Sequence, residues 1–432
     1  MANRVGVIGA GYVGLTSAAC LAHLGHHVIC VDNDKSKVDD CAEGLVGIAE
    51  PGLSGLVRDV LAEERLVFTT ELAALEQSDF VLLCLPTPMG PDGTADLSAV
   101  ESVLGSLRDI LPPGCVLVAK STVPVGTAAQ LPGLLGRTDI PVVSNPEFLR
   151  EGKAVADFLE PSRVLIGAAP EHRHAADRVA GLYAGLGAPV LRTSAESAEL
   201  AKYASNAFLA VKLSYVNTLA ELCEQVGADI GEVTRTMGLD DRIGCGFLDP
   251  GPGWGGSCLP KDTSALLGVA ERAGVDLPLV RAAVSVNARQ VATILRKIRV
   301  AATGAPDGSL RGARIGLLGL AFKAGTGDLR DSPALAIAAE LAGQKAVLMA
   351  YDPEVPEEPE WLTTTENPYQ VADRADAVVI LTEWPQFREL DWGRIAAAAR
   401  RPVVVDTRNL LDDVVLAGTG LRRFGVGTAK SL

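Results

Sequence analysis

The 432-residue chain is poor in the residues that most often mark metal or disulfide chemistry. Its five histidines, His23, His26, His27, His172 and His174, all lie outside the motifs described below. Its eight cysteines, Cys20, Cys30, Cys41, Cys84, Cys115, Cys223, Cys245 and Cys258, include no C-x-x-C pair. Thiols this sparse argue against a disulfide framework or a structural zinc site, and no metal is expected. Positive charge is also short: 39 Lys and Arg stand against 53 Asp and Glu, a net charge of −14. No broad positive field exists to hold nucleic acid, so an anionic ligand would need a local site. Long uncharged apolar runs are missing apart from Val5 to Ala22, which follows Arg4 and mimics a signal peptide. Gly6, Gly9, Gly11 and Gly14 interrupt it, and a helix would lose roughly 1 kcal/mol at each. No other run approaches the ~20 residues needed to cross a bilayer. The expectation is a soluble cytoplasmic protein with no membrane partner.

Hydrophobic residues make up 48% and charged residues 21%, which provides for sizeable cores and excludes a disordered chain. At about 150 residues per domain, two or three domains are expected. Residues 1–195 alternate short β-branched runs with helical patterns. The expected strands are Val5–Ile8, His27–Val31, Phe80–Leu85, Val116–Lys120, Val142–Ser144 and Val164–Ile166, forming a parallel sheet with helices on both faces. Residues 196–303 read as helical. One long helix follows the cap-like Ser194 and runs to Val226; others cover Lys261–Ala273 and Pro278–Val300 around a Gly-rich loop at Gly244–Gly256. Residues 304–432 follow a Pro/Gly/Asp linker and partly repeat the first block. Ile315 to Gly319 echoes Val5 to Gly9, Val347 to Asp352 echoes Val28 to Asp32, and Asp376 to Leu381 echoes Asp79 to Cys84. The expected fold class is α/β: two doubly wound Rossmann-like domains joined by a central helical domain.

Gly9-Ala10-Gly11-Tyr12-Val13-Gly14 follows a strand and opens a helix. In that context the glycines permit a tight turn, close approach of a pyrophosphate, and close packing of helix on strand. Asp32 ends the next strand, where it can bind a ribose hydroxyl, and no arginine follows it directly; NAD is therefore preferred over NADP. Polar residues follow three further strands, at Pro86-Thr87-Pro88, Ser121-Thr122-Val123 and Asn145 to Gly152. If the last segment is helical, Glu147 and Glu151 face one cleft. Lys202 and Asn206 share a helix face and could polarise one oxygen, whereas Lys212 reads as a solvated residue. In Gly255-Gly256-Ser257-Cys258-Leu259-Pro260-Lys261-Asp262, Cys258 precedes a helix N-terminus and Lys261 is near. Both features favour the thiolate. The other seven cysteines read as small buried thiols. Lys323 and Arg330 lie in a loop able to hold phosphates. In the third block Ala321 replaces the second fingerprint glycine, so a second dinucleotide site is not expected.

Taken together these segments resemble the UDP-glucose/GDP-mannose dehydrogenase family, over essentially the whole chain and in order. The matching pieces are Gly9–Gly14, Asp32, Pro86–Pro88, Ser121–Val123, Asn145–Gly152, Lys202 with Asn206, Gly253–Asp262 and Phe322–Pro333. The resemblance implies oxidation of a nucleotide sugar twice at carbon 6, with two NAD. It implies a Cys258 nucleophile forming a thiohemiacetal and then a thioester, with Lys202 and Asn206 on oxyanions and Asp262 orienting them. It implies Glu151 and Thr122 for water and proton transfer, and Glu147 as a further cleft carboxylate. For the cofactor it implies Gly9, Gly11, Tyr12, Val13, Asp32, Lys37, Thr87, Thr122, Glu151 and Arg330. For the nucleotide sugar it implies Phe148, Leu149, Lys202, Asn206, Phe247, Gly255, Cys258, Phe322 and Lys323. Arg242, in Asp241-Arg242-Ile243-Gly244, resembles the members that act on UDP-glucose, in which this arginine reaches a neighbouring subunit's sugar site. It implies UDP-glucuronate as product and a homodimer through the central helical domain. Trp254, Gly327 and Asp331 depart from the family's usual Phe, Asp and Glu.

The residue types suit this chemistry. A second oxidation needs a covalent or hydrated aldehyde, and a thiolate supplies the adduct. Alternatives are the same chemistry on GDP-mannose or a UDP-N-acetylhexosamine, a two-electron hydroxyacid dehydrogenase, and a non-catalytic NAD-binding protein.

Overall fold

The computed structural model describes residues 2–90, 95–355 and 359–428. The chain divides into two compact units, Met1–Ser205 with Ser264–Val275, and Asn206–Thr263 with Asp276–Leu432.

The first unit is built on eight strands: β1 (Arg4–Ile8), β2 (His27–Val31), β3 (Leu66–Thr69), β4 (Phe80–Leu83), β5 (Val116–Ala119), β6 (Val142–Ser144), β7 (Val164–Ala168) and β8 (Val190–Thr193). Their order in the sheet is β3-β2-β1-β4-β5-β6-β7-β8. Strand order reverses between β1 and β4, which creates a crevice at their carboxyl ends. Alternate strand residues feed two cores. Val7, Cys30 and Leu82 pack with Leu15, Ala18 and Leu21 of the helix Tyr12–His23 on one face. Ile8, Val31 and Leu83 pack with Leu104 and Leu131 on the other. The expectation of a wholly parallel sheet needs correction, because β7 runs antiparallel to β6 and parallel to β8. The segment between β6 and β7 contains only the six-residue helix Ala154–Leu159, so the chain turns back instead of crossing over.

The second unit repeats the device with β9 (Arg314–Leu318), β10 (Val347–Tyr351), β11 (Ala377–Ile380), β12 (Val403–Asp406) and β13 (Arg422–Phe424). All pairs are parallel, in the order β10-β9-β11-β12-β13. The repetition extends to single atoms. Asp79 Oδ2 accepts from the Arg4 amide at 2.9 Å, and Asp376 Oδ2 accepts from the Arg314 amide at 2.9 Å.

Helices make up the rest of the second unit. The helix Ala195–Val226 begins in the first unit and continues into the second after Ser205. Ser194 caps it as expected, its Oγ accepting from the Ser197 amide at 3.2 Å. Pro278–Thr303 carries Ile294, Leu295 and Ile298 into a core shared with Ile315, Leu317 and Val405 of the sheet.

Candidate functional site

In the first unit the glycine turn has the geometry that its sequence demands. Gly9 adopts φ +98°, and a Cβ on Gly14 would lie 1.7 Å from the Gly9 carbonyl oxygen. By contrast, a Cβ on Gly11 would meet nothing within 4 Å. The helix Tyr12–His23 starts there without a side-chain cap, leaving its first amides to an anion. Val13 lies in its first turn. Asp32, just beyond the end of β2, accepts from the Ala10 amide at 2.7 Å, and Lys37 Nζ lies 3.4 Å from the same oxygen. These residues fit a dinucleotide: a bare helix end for phosphate and a carboxylate for ribose.

The loops after β4, β5 and β6 lie side by side because those strands are neighbours. Thr87 Oγ1 donates to the Thr122 carbonyl at 2.8 Å, and Ser121 Oγ donates to the Leu85 carbonyl at 2.7 Å. After β6, Glu147 is buried and its Oε1 accepts from Lys202 Nζ at 2.9 Å. Its Oε2 accepts from the Leu149 amide at 2.5 Å. Burial pushes the Glu147 carboxyl up. The Lys202 charge and hydrogen bond, the Leu149 amide and the Lys120 charge outweigh this and hold it below the usual carboxylate range. Two cations lie near the Phe148 ring, the Arg163 guanidinium 3.7 Å from its centre and Lys202 Nζ at 5.3 Å. Leu149 packs partly against the adjoining core.

The helical reading of Glu147 to Glu151 is corrected. Residues 145–153 are irregular and the helix starts only at Ala154. Pro146 disfavours helix before it, and Glu147 bonds the amide two residues on in place of a helical carbonyl. Glu147 is therefore an ion-paired core carboxylate, while Glu151 is half-buried in the turn that follows.

In the second unit Cys258 directly precedes the helix Leu259–Arg272, with Pro260 in its first turn. Asp262 is fully buried and accepts from Asn206 Nδ2 and Lys261 Nζ, each at 2.6 Å. The Lys261 ammonium is directed to Asp262, its neighbour in the chain, and Cys258 stands at the N-terminus of the same helix. Ser257 Oγ lies 3.5 Å from Cys258 Sγ.

The loop before Cys258 meets the Phe322–Pro333 loop. A Cβ on Gly255 would lie 1.9 Å from the Asp331 carbonyl oxygen, and the Gly256 amide donates to the Arg330 carbonyl at 3.0 Å. Phe322 packs against Gly256, and Lys323 Nζ lies 5.6 Å from the Phe322 ring centre. The Arg330 guanidinium is paired with Asp328, and that of Arg242 with Asp240, where it is 89% exposed. Phe247 holds φ +61°, a conformation costly for a bulky residue and frequent at functional loops. Trp254 donates from its indole to Ser214 Oγ at 2.9 Å, which fixes the loop in a way phenylalanine could not. Lys212 is not merely solvated, since Nζ donates to the Ile243 carbonyl at 3.1 Å.

The second unit echoes the dinucleotide turn, with Ala321 in place of the second glycine. Asp352 is buried and accepts from the Leu320 and Ala321 amides and the Trp384 indole, at 2.7, 3.0 and 3.2 Å.

Two side chains escaped the sequence reading. Arg408, two residues beyond β12, donates to the Phe322 carbonyl at 3.1 Å; its place after a parallel strand was the available signal. Glu50 bonds the loop that carries Glu151, and no local motif announces it. Cys245 also departs from expectation: it is exposed, whereas Cys20, Cys30, Cys41, Cys84, Cys115 and Cys223 are buried.

Profiles of the UDP-glucose/GDP-mannose dehydrogenase family match three stretches: its NAD binding domain at residues 3–186, its central domain at 196–289 and its UDP binding domain at 316–413. The chain belongs to this family. Its cofactor is NAD, and it is an NAD-dependent oxidoreductase. It is 43% identical to a UDP-glucose 6-dehydrogenase of Rhizobium meliloti, over 98% of this chain and 99% of that protein. It is 41% identical to UDP-glucose 6-dehydrogenase TuaD of Bacillus subtilis, over 96% and 92% respectively. Among solved structures it resembles a UDP-glucose dehydrogenase of the archaeon Pyrobaculum islandicum, with TM-score 0.86, 35% identity and 95% of each chain covered. It also resembles a UDP-D-ManNAc dehydrogenase of Pyrococcus horikoshii, with TM-score 0.88, 28% identity, and 99% and 100% covered. Among the described residues, no helix is long and apolar enough to cross a membrane.

Proposed function

We propose that the chain oxidises UDP-glucose to UDP-glucuronate, forming two NADH per sugar, and that Cys258 carries the sugar covalently between the two oxidations. The observation that carries this reading is the pairing of Cys258 at a helix N-terminus with a buried Asp262 held by Asn206 and Lys261. Bound NAD supplies the hydride acceptor. Gly9, Gly11, Tyr12 and Val13 would offer backbone donors to its phosphates, Asp32 its ribose acceptor, and Lys37, Thr87, Thr122, Glu151 and Arg330 further contacts.

The remaining steps fall to side chains. A base takes the proton of the carbon 6 hydroxyl as hydride leaves, giving the aldehyde. Lys202 and Asn206 stabilise the oxyanions. The Cys258 thiolate adds to the aldehyde carbon and the oxygen takes up a proton, giving the thiohemiacetal. Loss of a second hydride and of the hydroxyl proton leaves the thioester. Water, positioned by Glu151 and Thr122, attacks the acyl carbon; the C–S bond breaks, releasing carboxylate and the thiol. Phe148, Leu149, Phe247, Gly255, Phe322 and Lys323 would hold the nucleotide sugar, with Glu147 keeping Lys202 in place. The central residues 196–303 and the flanking blocks 1–195 and 304–432 would be its three domains.

A homodimer through the central helical domain is part of this reading. Phe208, Tyr215 and Leu222 recur every seventh residue on one face of the helix Ala195–Val226 and are 63, 54 and 53% exposed, an apolar stripe that a second copy would cover. Arg242, extended into solvent, would reach the partner's sugar site. The enzyme would work in the cytoplasm and supply uronate for acidic polysaccharides.

A second reading keeps the chemistry and changes the sugar. The fold similarity to a UDP-D-ManNAc dehydrogenase is as high as that to a UDP-glucose dehydrogenase. The test is to count NADH per sugar consumed across a panel of nucleotide sugars and to identify the acid. Two NADH from UDP-glucose with UDP-glucuronate formed supports the reading. Two NADH from another sugar moves the specificity, and one NADH sinks the role of Cys258.

A further inference from the structure

Glu50 is a buried carboxylate outside every motif of the family resemblance. Its Oε1 accepts from the Ala154 amide and its Oε2 from the Gly152 amide, both at 2.7 Å. Tyr12 donates its hydroxyl to the same Oε2. That hydroxyl accepts from the Gly152 amide at 3.0 Å and lies 3.1 Å from the Arg150 carbonyl oxygen. The peptide group that follows Glu151 is thus held by Tyr12 and Glu50 together, through the Gly152 amide. Ala154 opens a helix whose own N-cap, Lys153, supplies no side-chain bond, so Glu50 caps it from a distance of 104 residues in sequence. A second brace comes from Asp157, which accepts from the Arg150 amide and guanidinium at 2.9 Å. Tyr12 follows Gly11, so one residue belongs to the cofactor turn by its backbone and bonds the loop by its side chain.

We propose that Glu50 is a positioning residue for the oxidation: through Tyr12 and the Gly152 and Ala154 amides it locks the backbone of Glu151 to the cofactor turn. The proposal rests on the reading above, in which Glu151 serves catalysis. Burial and the bond to Glu50 push the Tyr12 phenol far above its ordinary value, which keeps it protonated as the donor that the latch needs. Displacing a catalytic group by about 1 Å costs on the order of a hundredfold in rate, so loosening this latch is readable in turnover.

The experiment is a cycle of wild type, E50Q, E151Q and E50Q/E151Q in the full-length enzyme, with Y12F as the milder variant. The E50Q change would place an amide NH₂ against a backbone N–H, donor against donor. The expected result is a fall in kcat of about tenfold or more for E50Q in the wild-type background, with KM for the nucleotide sugar within about twofold. In the E151Q background the same change should cost less than about twofold, because the residue it serves is gone. A purely structural Glu50 would cost the same factor in both backgrounds, and that outcome overturns the proposal, as does an unchanged kcat for E50Q. If E50Q does not fold, Y12F with E151Q forms the same cycle; Y12F should lower kcat less, with Tm unchanged. Amide hydrogen exchange at Gly152 and Ala154 gives a readout independent of turnover. Faster exchange in E50Q is expected. Unchanged exchange with an active wild type overturns the latch alone. A wild type that forms no NADH from any nucleotide sugar overturns the functional reading, and the catalytic part of the latch with it.

Discussion

Lys202 Nζ lies 2.9 Å from Glu147 Oε1, and both side chains are less than a tenth exposed. A pair so buried is costly to assemble and more costly to break, because removing one partner strands a charge away from water. K202M should therefore destabilise the protein by roughly 3–5 kcal/mol, and adding E147Q should recover much of that loss. Urea unfolding of the two single variants and the double variant measures it. A K202M change without loss of stability would mean that water or another cation meets Glu147.

The same pair sets a pH dependence. Glu147 is held below the usual carboxylate range despite its burial. A group depressed in the folded state adds stability above its unfolded pKa, about 4, and that contribution is lost as pH falls through the lower folded value. Stability should drop on acidification below about pH 4, and E147Q should flatten the drop. Unfolding midpoints measured down the acid limb decide it.

What the sequence made legible follows from how each feature is encoded. The turn at Gly9 to Gly14 and the strands at Val5, His27 and Phe80 are local patterns, and the structure has them in place. Leu66–Thr69 and Val190–Thr193 are the two edge strands of the sheet, and neither has an unbroken buried run. The reversed direction of β7 depends on what lies between two strands, which a short apolar run does not record. Glu147 and Glu151 do not share a helix face because Glu147 bonds the amide two residues on and residues 145–153 are irregular. Glu50 was invisible because its partners sit 38 and 102 residues away.

Gly14 and Gly11 should fail differently when replaced by alanine. At Gly14 the new Cβ would stand 1.7 Å from the Gly9 carbonyl oxygen, so the helix must leave the strand. G14A should unfold several degrees earlier and lose NAD binding, at a cost of roughly 1–3 kcal/mol or more. At Gly11 nothing lies within 4 Å, so G11A should melt as the wild type does. Its methyl group would stand where the pyrophosphate approaches, and NAD affinity should fall about tenfold or more. Thermal melts and NAD titrations of both variants separate fold from binding.

Thiol reactivity should sort the cysteines by burial. Burial pushes Cys20, Cys84 and Cys115 up to about 12, and Cys30 well above its ordinary value. Near pH 8 a thiol of pKa about 12 is thiolate in only ~10⁻⁴ of molecules. Ellman's reagent should label Cys245 and Cys258 in the native protein within minutes, and all eight cysteines after denaturation. In C245S a single fast thiol should remain, and its modification should abolish turnover. Fast labelling of a third cysteine would contradict the packing of these cores.

The role of Cys258 makes the sharpest demand on product counting. A serine in its place keeps the shape, yet its hydroxyl stays un-ionised near neutral pH and is a poor trap for an aldehyde. The first hydride leaves an alcohol carbon and does not need the sulfur, whereas the second leaves an adduct that does. C258S should therefore give at most one NADH per sugar in a single turnover, while uronate formation falls by ~10³-fold or more. Because Asn206 and Lys261 hold Asp262, the substitution should leave those hydrogen bonds, and the melting temperature, nearly unchanged. Single-turnover NADH absorbance with product analysis reads both halves. Two NADH and normal uronate yield from C258S would reduce Cys258 to a small packing side chain and require another covalent or hydrated intermediate.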